Sequence, residues 1–283
     1  MTATTRPGGM PAIQPRRMDF VFDDAIPCYW FDGEPCMTLL FTALSSSFPD
    51  GERFIMKAVR HYQGRIVDPG LQAALRGFID QEARHGRQHE GLNALMARKG
   101  LPVRQMTAFI RHYLETQYRL YPPAMRLAKA CALEHFTALF ADRILGHPAL
   151  IDGFDTRMRP LWLWHAIEES EHKSVVFEVY QERVGSYWLR ASTMMLTTLE
   201  FAAFMVVQQL QLVVAAGELG NIRSLARAVR YLVGREGLLE GLGAGYLAYY
   251  RRDFHPLQGD LPQYREQGLR RLGQLLGRPV DVV

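Results

Sequence analysis

Apolar and polar residues along most of the chain recur with the spacing of an α-helix. This pattern, together with Pro, Gly and Asp at its ends, predicts helices over 35–64 (with a break at 48–51), 69–98, 103–119, 123–145, 160–184, 188–216 and 222–235. No sustained alternation of apolar and polar residues predicts a strand. The sequence therefore predicts an all-α fold.

The helix predicted over 69–98 carries one stripe of residues spaced three and four apart, and both ends of that stripe are apolar. The middle of the stripe holds Glu82, His85 and His89. Because a buried charge is costly unless it is paired or bound to a metal, these three residues are candidate metal ligands.

The helix predicted over 160–184 repeats this pattern with His165, Glu169 and His172. Glu-x-x-His occurs in both helices and places a carboxylate and an imidazole on neighbouring turns. Glu168 and Glu169 are adjacent and cannot both face one ion. The spacing favours Glu169 as the ligand. Glu168 is the alternative ligand, a carboxylate that supports the ligands or shifts toward the metal, or a catalytic base. His89 and His165 lie one turn away, either as further ligands or as groups that orient the ligands.

Two further predicted helices each offer a carboxylate, Glu52 and Glu134, on their apolar sides. The order Glu, Glu-x-x-His, Glu, Glu-x-x-His is the ligand order of ferritin-like di-iron and di-manganese bundles. The alternative is a set of buried salt bridges with basic residues that lie off the stripes. The predicted metal ligands are Glu52, Glu82, His85, His89, Glu134, His165, Glu169 and His172.

This ligand order predicts a ferritin-like four-helix bundle with additional helices. We expect three regions along the chain. Residues 1–18 form a flexible N-terminal tail rich in Thr, Pro, Gly and Arg, residues 19–220 form the di-metal bundle, and residues 221–283 form a C-terminal helical extension packed on the bundle.

Composition narrows the functional classes. The 283 residues carry a formal charge of +4, which is too mild to indicate nucleic-acid binding. Three cysteines without CxxC spacing argue against a disulfide framework and favour a cytoplasmic protein. The apolar segment 191–217 is interrupted by Glu200 and three glutamines. It therefore predicts a packed helix or a homodimer contact rather than a transmembrane span, with peripheral membrane contact as an alternative.

Four motifs resemble a bacterial family described as "predicted metal-dependent hydrolase". They are Phe48-Pro49-Asp50-Gly51-Glu52-Arg53-Phe54, Gln81-Glu82-Ala83-Arg84-His85 with His89, Glu134-His135-Phe136-Thr137-Ala138, and the stretch from Trp164 to Lys173. The resemblance covers roughly residues 20–260 and implies metal dependence. By fold the family is similar to the ferritin-like superfamily of di-iron oxidases and oxygenases.

The ligand set offers oxygen and nitrogen donors without thiolates, which favours two iron ions, with manganese and zinc as alternatives. We expect an enzyme that oxidises or hydroxylates a small apolar or lipid-like substrate with O2. The first alternative is a metal-dependent hydrolase that uses a metal-activated water, with Glu168 as the base. The second alternative is a non-catalytic metal-binding helical protein.

Overall fold

The computed structural model describes residues 13–259 and 261–280. Its helices are α1 (Pro35–Gln63), α2 (Pro69–Arg98), α3 (Val103–Leu120), α4 (Pro123–Gly146), α5 (Arg159–His172), α6 (Val175–Arg183), α7 (Tyr187–Ala215), α8 (Ile222–Val233), α9 (Leu242–Ala248) and α10 (Pro262–Leu276). These residues contain no strand, only an isolated bridge between Phe31 and Phe154. The prediction of an all-α fold is therefore confirmed.

Helix α2 begins and ends where its sequence signals predict. The Asp68 side chain accepts a hydrogen bond from the backbone N–H of Gly70 at 2.8 Å, and Pro69 occupies the first helical position. Gly100 follows the helix with φ +91°, a conformation that glycine adopts without strain. These end signals fix the register of the polar residues in the middle of α2.

The predicted break at Pro49 is wrong, because α1 continues through it. Proline has no N–H, so the Ser45 carbonyl four residues earlier lacks its helical donor. Asn93 of α2 supplies the missing hydrogen bond, since its Nδ2 donates to Ser45 O at 3.1 Å. A side chain of the neighbouring helix thus replaces the lost backbone bond.

The single helix predicted over 160–184 is instead two helices, α5 and α6. Lys173 and Ser174 form the turn between them, and Lys173 Nζ donates to Asp142 on α4 at 3.2 Å. His172 is therefore the last residue of α5, with its ring buried. The bounds predicted for the other helices differ from the observed ones by at most two residues.

Four helices surround one interior. α1 packs against α2 and α4, α4 packs against α5, and α2 also contacts α5. The stripe of α2 runs from Leu71 and Phe78 in one apolar cluster to Leu92 and Met96 in another. The polar middle of the stripe therefore lies between two apolar cores, inside the bundle.

Segments at both ends of the described chain pack on these helices. Residues 1–12 of the predicted tail, residue 260 and residues 281–283 lie outside the described residues. Within the rest of the predicted tail, Ile13 and Arg16 are buried. At the other end, α8 contacts α1, α9 contacts α4, and α10 contacts α4 and α5.

Helix α7 covers the bundle with one side only. It packs against α1 and α4, and buries residues such as Met194, Gln208 and Leu212. Its opposite side leaves Leu199, Val206 and other large apolar side chains exposed. By length and composition alone α7 could cross a membrane, and a single helix of this kind is weak evidence for a span.

Candidate metal centre

The bundle interior brings most of the predicted ligands together. Donor atoms of Glu82, His85, Glu169 and His172 all lie within 4.8 Å of one another, and all four residues are buried. The same holds for Glu52, His85 and His165. Because the two groups share His85, they form one continuous cluster.

His172 and His85 lie at the centre of this cluster. His172 Nε2 is 3.1 Å from Glu82 Oε1 and 3.9 Å from Glu169 Oε1. His85 Nδ1 is 3.7 Å from an oxygen of each of the same two carboxylates. The two Glu-x-x-His motifs therefore face each other across the interface between α2 and α5.

The remaining predicted residues lie at the edge of the cluster. His165 Nε2 is 2.9 Å from Glu169 Oε1, whereas His89 contacts His165 and Ser45 and has no donor atom in either group. Glu134 Oε2 is 3.1 Å from His172 Nδ1, the ring nitrogen on the other side from Glu82. His89 and Glu134 thus contact ligand histidines and belong to neither close group of donor atoms.

Several buried donor atoms of the cluster lack a hydrogen-bond partner among the described residues. They are both carboxylate oxygens of Glu52 and of Glu82, Oε2 of Glu169, Nδ1 of His85 and Nε2 of His172. Buried polar groups are almost always satisfied, so a concentration of unsatisfied oxygen and nitrogen atoms calls for a ligand. Metal ions that prefer oxygen and imidazole donors fit this set.

Burial and mutual contact shift the pKa values of these groups. Burial and the Glu82 carboxylate raise the pKa of Glu52 well above its ordinary value. Burial also raises the pKa of Glu82, but the close contacts with His172 and His85 outweigh it and lower that pKa to about 2. Burial raises the pKa of Glu134 to about 8, despite the opposing charge of His172.

The histidines respond in opposite directions. Burial lowers the pKa of His85, but contacts with Glu168 and Glu82 outweigh it and raise that pKa to about 10. Burial together with the charges of His165 and His85 lowers the pKa of His89 well below its ordinary value. In the metal-free protein, protons on His85 and His172, whose pKa values are both raised, therefore balance the buried carboxylates, and His89 is neutral.

Glu168 lies behind His85 rather than beside a substrate. Its Oε2 is 3.0 Å from His85 Nε2, and its Oε1 accepts a hydrogen bond from the Arg16 backbone N–H at 2.9 Å. The Arg16 guanidinium also forms two hydrogen bonds with Glu171, at 2.6 and 2.8 Å. A carboxylate in this position fixes the tautomer of a metal-binding imidazole and leaves its opposite nitrogen free.

A chain of buried hydrogen bonds fixes the tautomer of His165 in the same way. Asn93 donates to the Ser45 carbonyl, so its Oδ1 is the acceptor for the Ser45 hydroxyl at 2.9 Å. With its proton used, Ser45 Oγ must accept from His89 Nδ1, also at 2.9 Å. His89 Nε2 then accepts from His165 Nδ1 at 2.8 Å. In a neutral His165 ring this assignment leaves Nε2 without a proton, 2.9 Å from Glu169 Oε1, so this contact needs a proton or a metal ion.

An apolar cavity of about 160 Å³ adjoins the cluster. Glu52, Glu82, Glu134, His165 and Glu169 form part of its wall, whereas Glu168 does not. Most of the remaining wall is aromatic or aliphatic, including Phe41, Leu44, Phe48, Ile55, Phe140, Ile144 and Trp162. An apolar molecule in this cavity would meet the carboxylates directly.

Sequence reasoning missed the residues that support the ligands. Ser45 and Asn93 continue the helical spacing of Glu52 and His89, seven and four residues away, and this spacing was the available signal. Gly86 gives the Glu52 carboxylate room beside α2, because a Cβ at this position would lie 3.0 Å from Glu52 Oε2. Nothing in the sequence around Gly86 indicates this close approach of α1.

Comparison with known proteins places this geometry in context. A family model described as "predicted metal-dependent hydrolase" matches residues 14–260, which is most of the chain. No curated protein and no solved structure matches the chain significantly.

Proposed function

The chain belongs to the predicted metal-dependent hydrolase family, and from this premise we propose that its buried cluster holds two metal ions. The unsatisfied donor atoms of Glu52, Glu82, His85, Glu169 and His172 carry this proposal. The two groups together offer three carboxylates and three imidazoles, more donor atoms than one ion coordinates, which supports a pair of ions. The likeness to ferritin-like di-iron bundles is part of the same proposal.

We assign the ligands to Glu52, Glu82, His85, His165, Glu169 and His172. Each of the three histidines has a partner on its other ring nitrogen: Glu168 for His85, His89 for His165 and Glu134 for His172. The proposed role of these partners is to orient the rings, because outer hydrogen bonds set the tautomer and basicity of ligand histidines. In this proposal Glu168 is a positioning residue and not the catalytic base.

The substrate we propose is a small apolar or lipid-like molecule held in the adjoining cavity. Phe48 and Trp162 lie beside His89, and Phe48 also contacts His165, so aromatic rings exclude water from that end of the cluster. When bound, ions at such a site polarise an oxygen of the substrate, activate a water or, in the case of iron, use O2.

The reaction we propose first is oxidation or hydroxylation of that substrate with O2 at a pair of iron ions. Its support is a nitrogen and oxygen donor set beside an apolar wall, together with the engagement of Glu168 by His85 and Arg16. Hydrolysis is the second candidate, favoured by the description of the family.

Metal loading under controlled oxygen distinguishes these reactions. Protein loaded anaerobically with ferrous iron should bind two ions per chain, consume O2 on exposure to air and develop a new absorbance. Glu169→Gln tests whether these responses arise at the cluster. It removes one carboxylate ligand, so O2 consumption and the new absorbance should both be lost. Zinc-loaded protein that cleaves esters without O2 would favour hydrolysis, and metal binding without either reaction would leave the non-catalytic alternative.

A further inference from the structure

The cavity wall carries a second polar group, separate from the metal cluster. Lys129 of α4 forms a buried ion pair with Glu200 of α7, and both residues line the cavity. Glu200 Oε1 also accepts hydrogen bonds from Gln117 Nε2 at 2.9 Å and from the Tyr121 hydroxyl at 3.3 Å. The Glu200 carboxylate is therefore fully engaged and balances the charge of Lys129.

Thr197 lies one turn before Glu200 and lines the same wall. Its side chain is 2 % exposed, and its hydroxyl has no hydrogen-bond partner among the described residues. A buried hydroxyl without a partner is costly, so the cavity is incomplete without a polar atom at this point. The charge balance of the adjacent ion pair favours a neutral atom, since a second carboxylate would meet Glu200.

We propose that Thr197 and Lys129 bind a neutral hydrogen-bonding group, a hydroxyl or a carbonyl, on an otherwise apolar substrate. The proposal rests on the proposed function and names its substrate class. Lys129 and Glu134 lie five residues apart on α4, about 7.5 Å along the helix axis. The substrate therefore carries its polar group a few carbon atoms away from the position that reaches the cluster.

Binding of octanol, octane and octanoate to the metal-free protein tests this proposal, measured by calorimetry or by quenching of tryptophan fluorescence. Octanol should bind more tightly than octane, and octanoate more weakly than octanol. Thr197→Val should weaken octanol binding roughly fivefold, the loss of one hydrogen bond, and leave octane binding unchanged. Thr137→Val is the control, since Thr137 also lines the cavity but donates to Glu134 O at 3.1 Å.

Two outcomes would overturn the proposal: equal losses for octanol and octane in Thr197→Val, or tighter binding of octanoate than of octanol. Because the measurement uses metal-free protein, it does not depend on whether the cluster binds two ions. A failure of the metal proposal would be seen in a different measurement, as unchanged metal content in variants of the metal cluster such as Glu169→Gln.

A different observation concerns the outer surface of the molecule. The exposed residues of α7 between Trp188 and Ala215 include no charged side chain, and Met195, Leu199, Val206 and Leu210 are all more than half exposed. Helix α8 buries its small residues Ser224 and Ala228 and exposes its large apolar residues, the reverse of an ordinary amphipathic helix. Its outer side exposes Ile222, Leu225, Val229 and Val233, bordered by Arg223, Arg227 and Arg230.

The inner sides of both helices contact the same residue at the beginning of α1. Gln209 of α7 donates to the Cys36 carbonyl at 3.0 Å, and Ser224 of α8 accepts from the Cys36 N–H at 3.0 Å. Both inner sides thus rest on the first turn of α1. We call the exposed apolar residues of the two helices, together with the arginines of α8, the α7/α8 face.

We infer that the α7/α8 face binds the surface of an anionic lipid bilayer. An exposed apolar stripe edged by arginine is the composition of interfacial helices, and the arginines complement lipid phosphates and acidic headgroups. Thr197 and Phe204, on the inner side of α7, line the cavity. A lipid-like substrate would therefore lie beneath the helix that contacts its source.

Co-sedimentation of the full chain with vesicles tests this inference. Binding is expected with vesicles of equal parts phosphatidylcholine and phosphatidylglycerol, and weaker binding with phosphatidylcholine alone. Leu199→Asp should abolish binding, and each of Arg223→Ala and Arg230→Ala should weaken it roughly fivefold on anionic vesicles. Val67→Asp is the matched control, because Val67 is 81 % exposed and lies between α1 and α2, outside both α7 and α8. A stable dimer that Leu199→Asp dissociates, without vesicle binding, would overturn the inference in favour of a second copy.

Discussion

Nε2 of His85 lies 3.0 Å from Oε2 of Glu168, on the side of the ring opposite the two carboxylates that Nδ1 faces. The pair explains why two adjacent glutamates follow His165 in the sequence. Glu169 points into the cluster. Glu168 contacts the opposite side of the His85 ring, which α2 contributes. Two adjacent residues of α5 thus face the two ring nitrogens of His85, Glu168 at Nε2 and Glu169 at Nδ1.

Removing one carboxylate of the cluster should reduce metal content. Glu82→Gln keeps the size of the side chain but removes the charge and one acceptor oxygen from a residue that is 1 % exposed. We expect loss of at least one ion per chain by elemental analysis. Glu90→Gln, on the exposed side of the same helix, should bind as much metal as the unmodified protein. Full metal occupancy in Glu82→Gln would contradict the site.

Glu168→Gln separates a positioning role from a catalytic one. If Glu168 orients His85, the variant should bind metal about 10- to 100-fold more weakly and regain activity at saturating metal. If Glu168 is the base, metal affinity should be unchanged and activity should stay low at any metal concentration. A metal titration monitored by both affinity and turnover distinguishes the two roles.

Ser45→Ala breaks the hydrogen-bond chain that reaches His165 through His89. The tautomer of His89 would no longer be fixed, and we expect metal affinity to fall about tenfold. Ser46→Ala is the control, because Ser46 is equally buried on α1 but bonds to Ala43 O and Gln208 Oε1. Equal affinities of the two variants would show that the chain has no influence on the site.

The metal-free protein and the metal complex should respond to pH in opposite directions. The pKa of His85 is raised from its ordinary value of 6.5 to about 10 in the folded chain, so its contribution to stability is complete below pH 6.5. This contribution is lost as the pH rises toward 10. Metal affinity should increase over the same range, because a ligand imidazole must be deprotonated. Thermal unfolding with and without chelator checks both trends.

Arg16 should stabilise the fold although it lies in the predicted tail. It is buried, and its removal leaves Glu168 and Glu171 without their cation. Arg16→Met should lower the free energy of unfolding by about 3 kcal/mol, as expected when a buried ion pair loses one partner. Arg17→Met, whose side chain is 73 % exposed, should change it by less than about 1 kcal/mol. Similar unfolding curves for the two variants would show that Arg16 does not anchor this segment.

The sequence was sufficient to predict most helices up to α8 and to select the residues of the cluster, because a polar group in the middle of an apolar stripe has few explanations. It provided no bounds for α9 and α10. Pro49 shows the limit of local reasoning. Its effect on α1 depends on Asn93 of another helix, which satisfies the carbonyl that proline leaves free. Sequence rules for proline describe an isolated helix and contain no such partner.

The roles within the cluster depend on contacts that no spacing encodes. His89 and His165 have the same residue type and equivalent places on their helices, but only His165 reaches a carboxylate of the cluster. The Arg16 contact with Glu168 spans 152 residues and involves a segment without helical pattern. Long-range pairings of this kind follow from tertiary packing, and helix periodicity predicts only the face on which each residue lies.

The proposed ligands come from α1 and α2 near the beginning of the chain and from α5 beyond its middle. Ions held by all three helices would act as a removable cross-link that closes a long loop of the polypeptide. Removal of the metal would then loosen the packing of α1, α2 and α5 inside the bundle, rather than the ends of the chain. The resistance of the protein to proteases would follow the supply of metal in the cell, independently of any turnover.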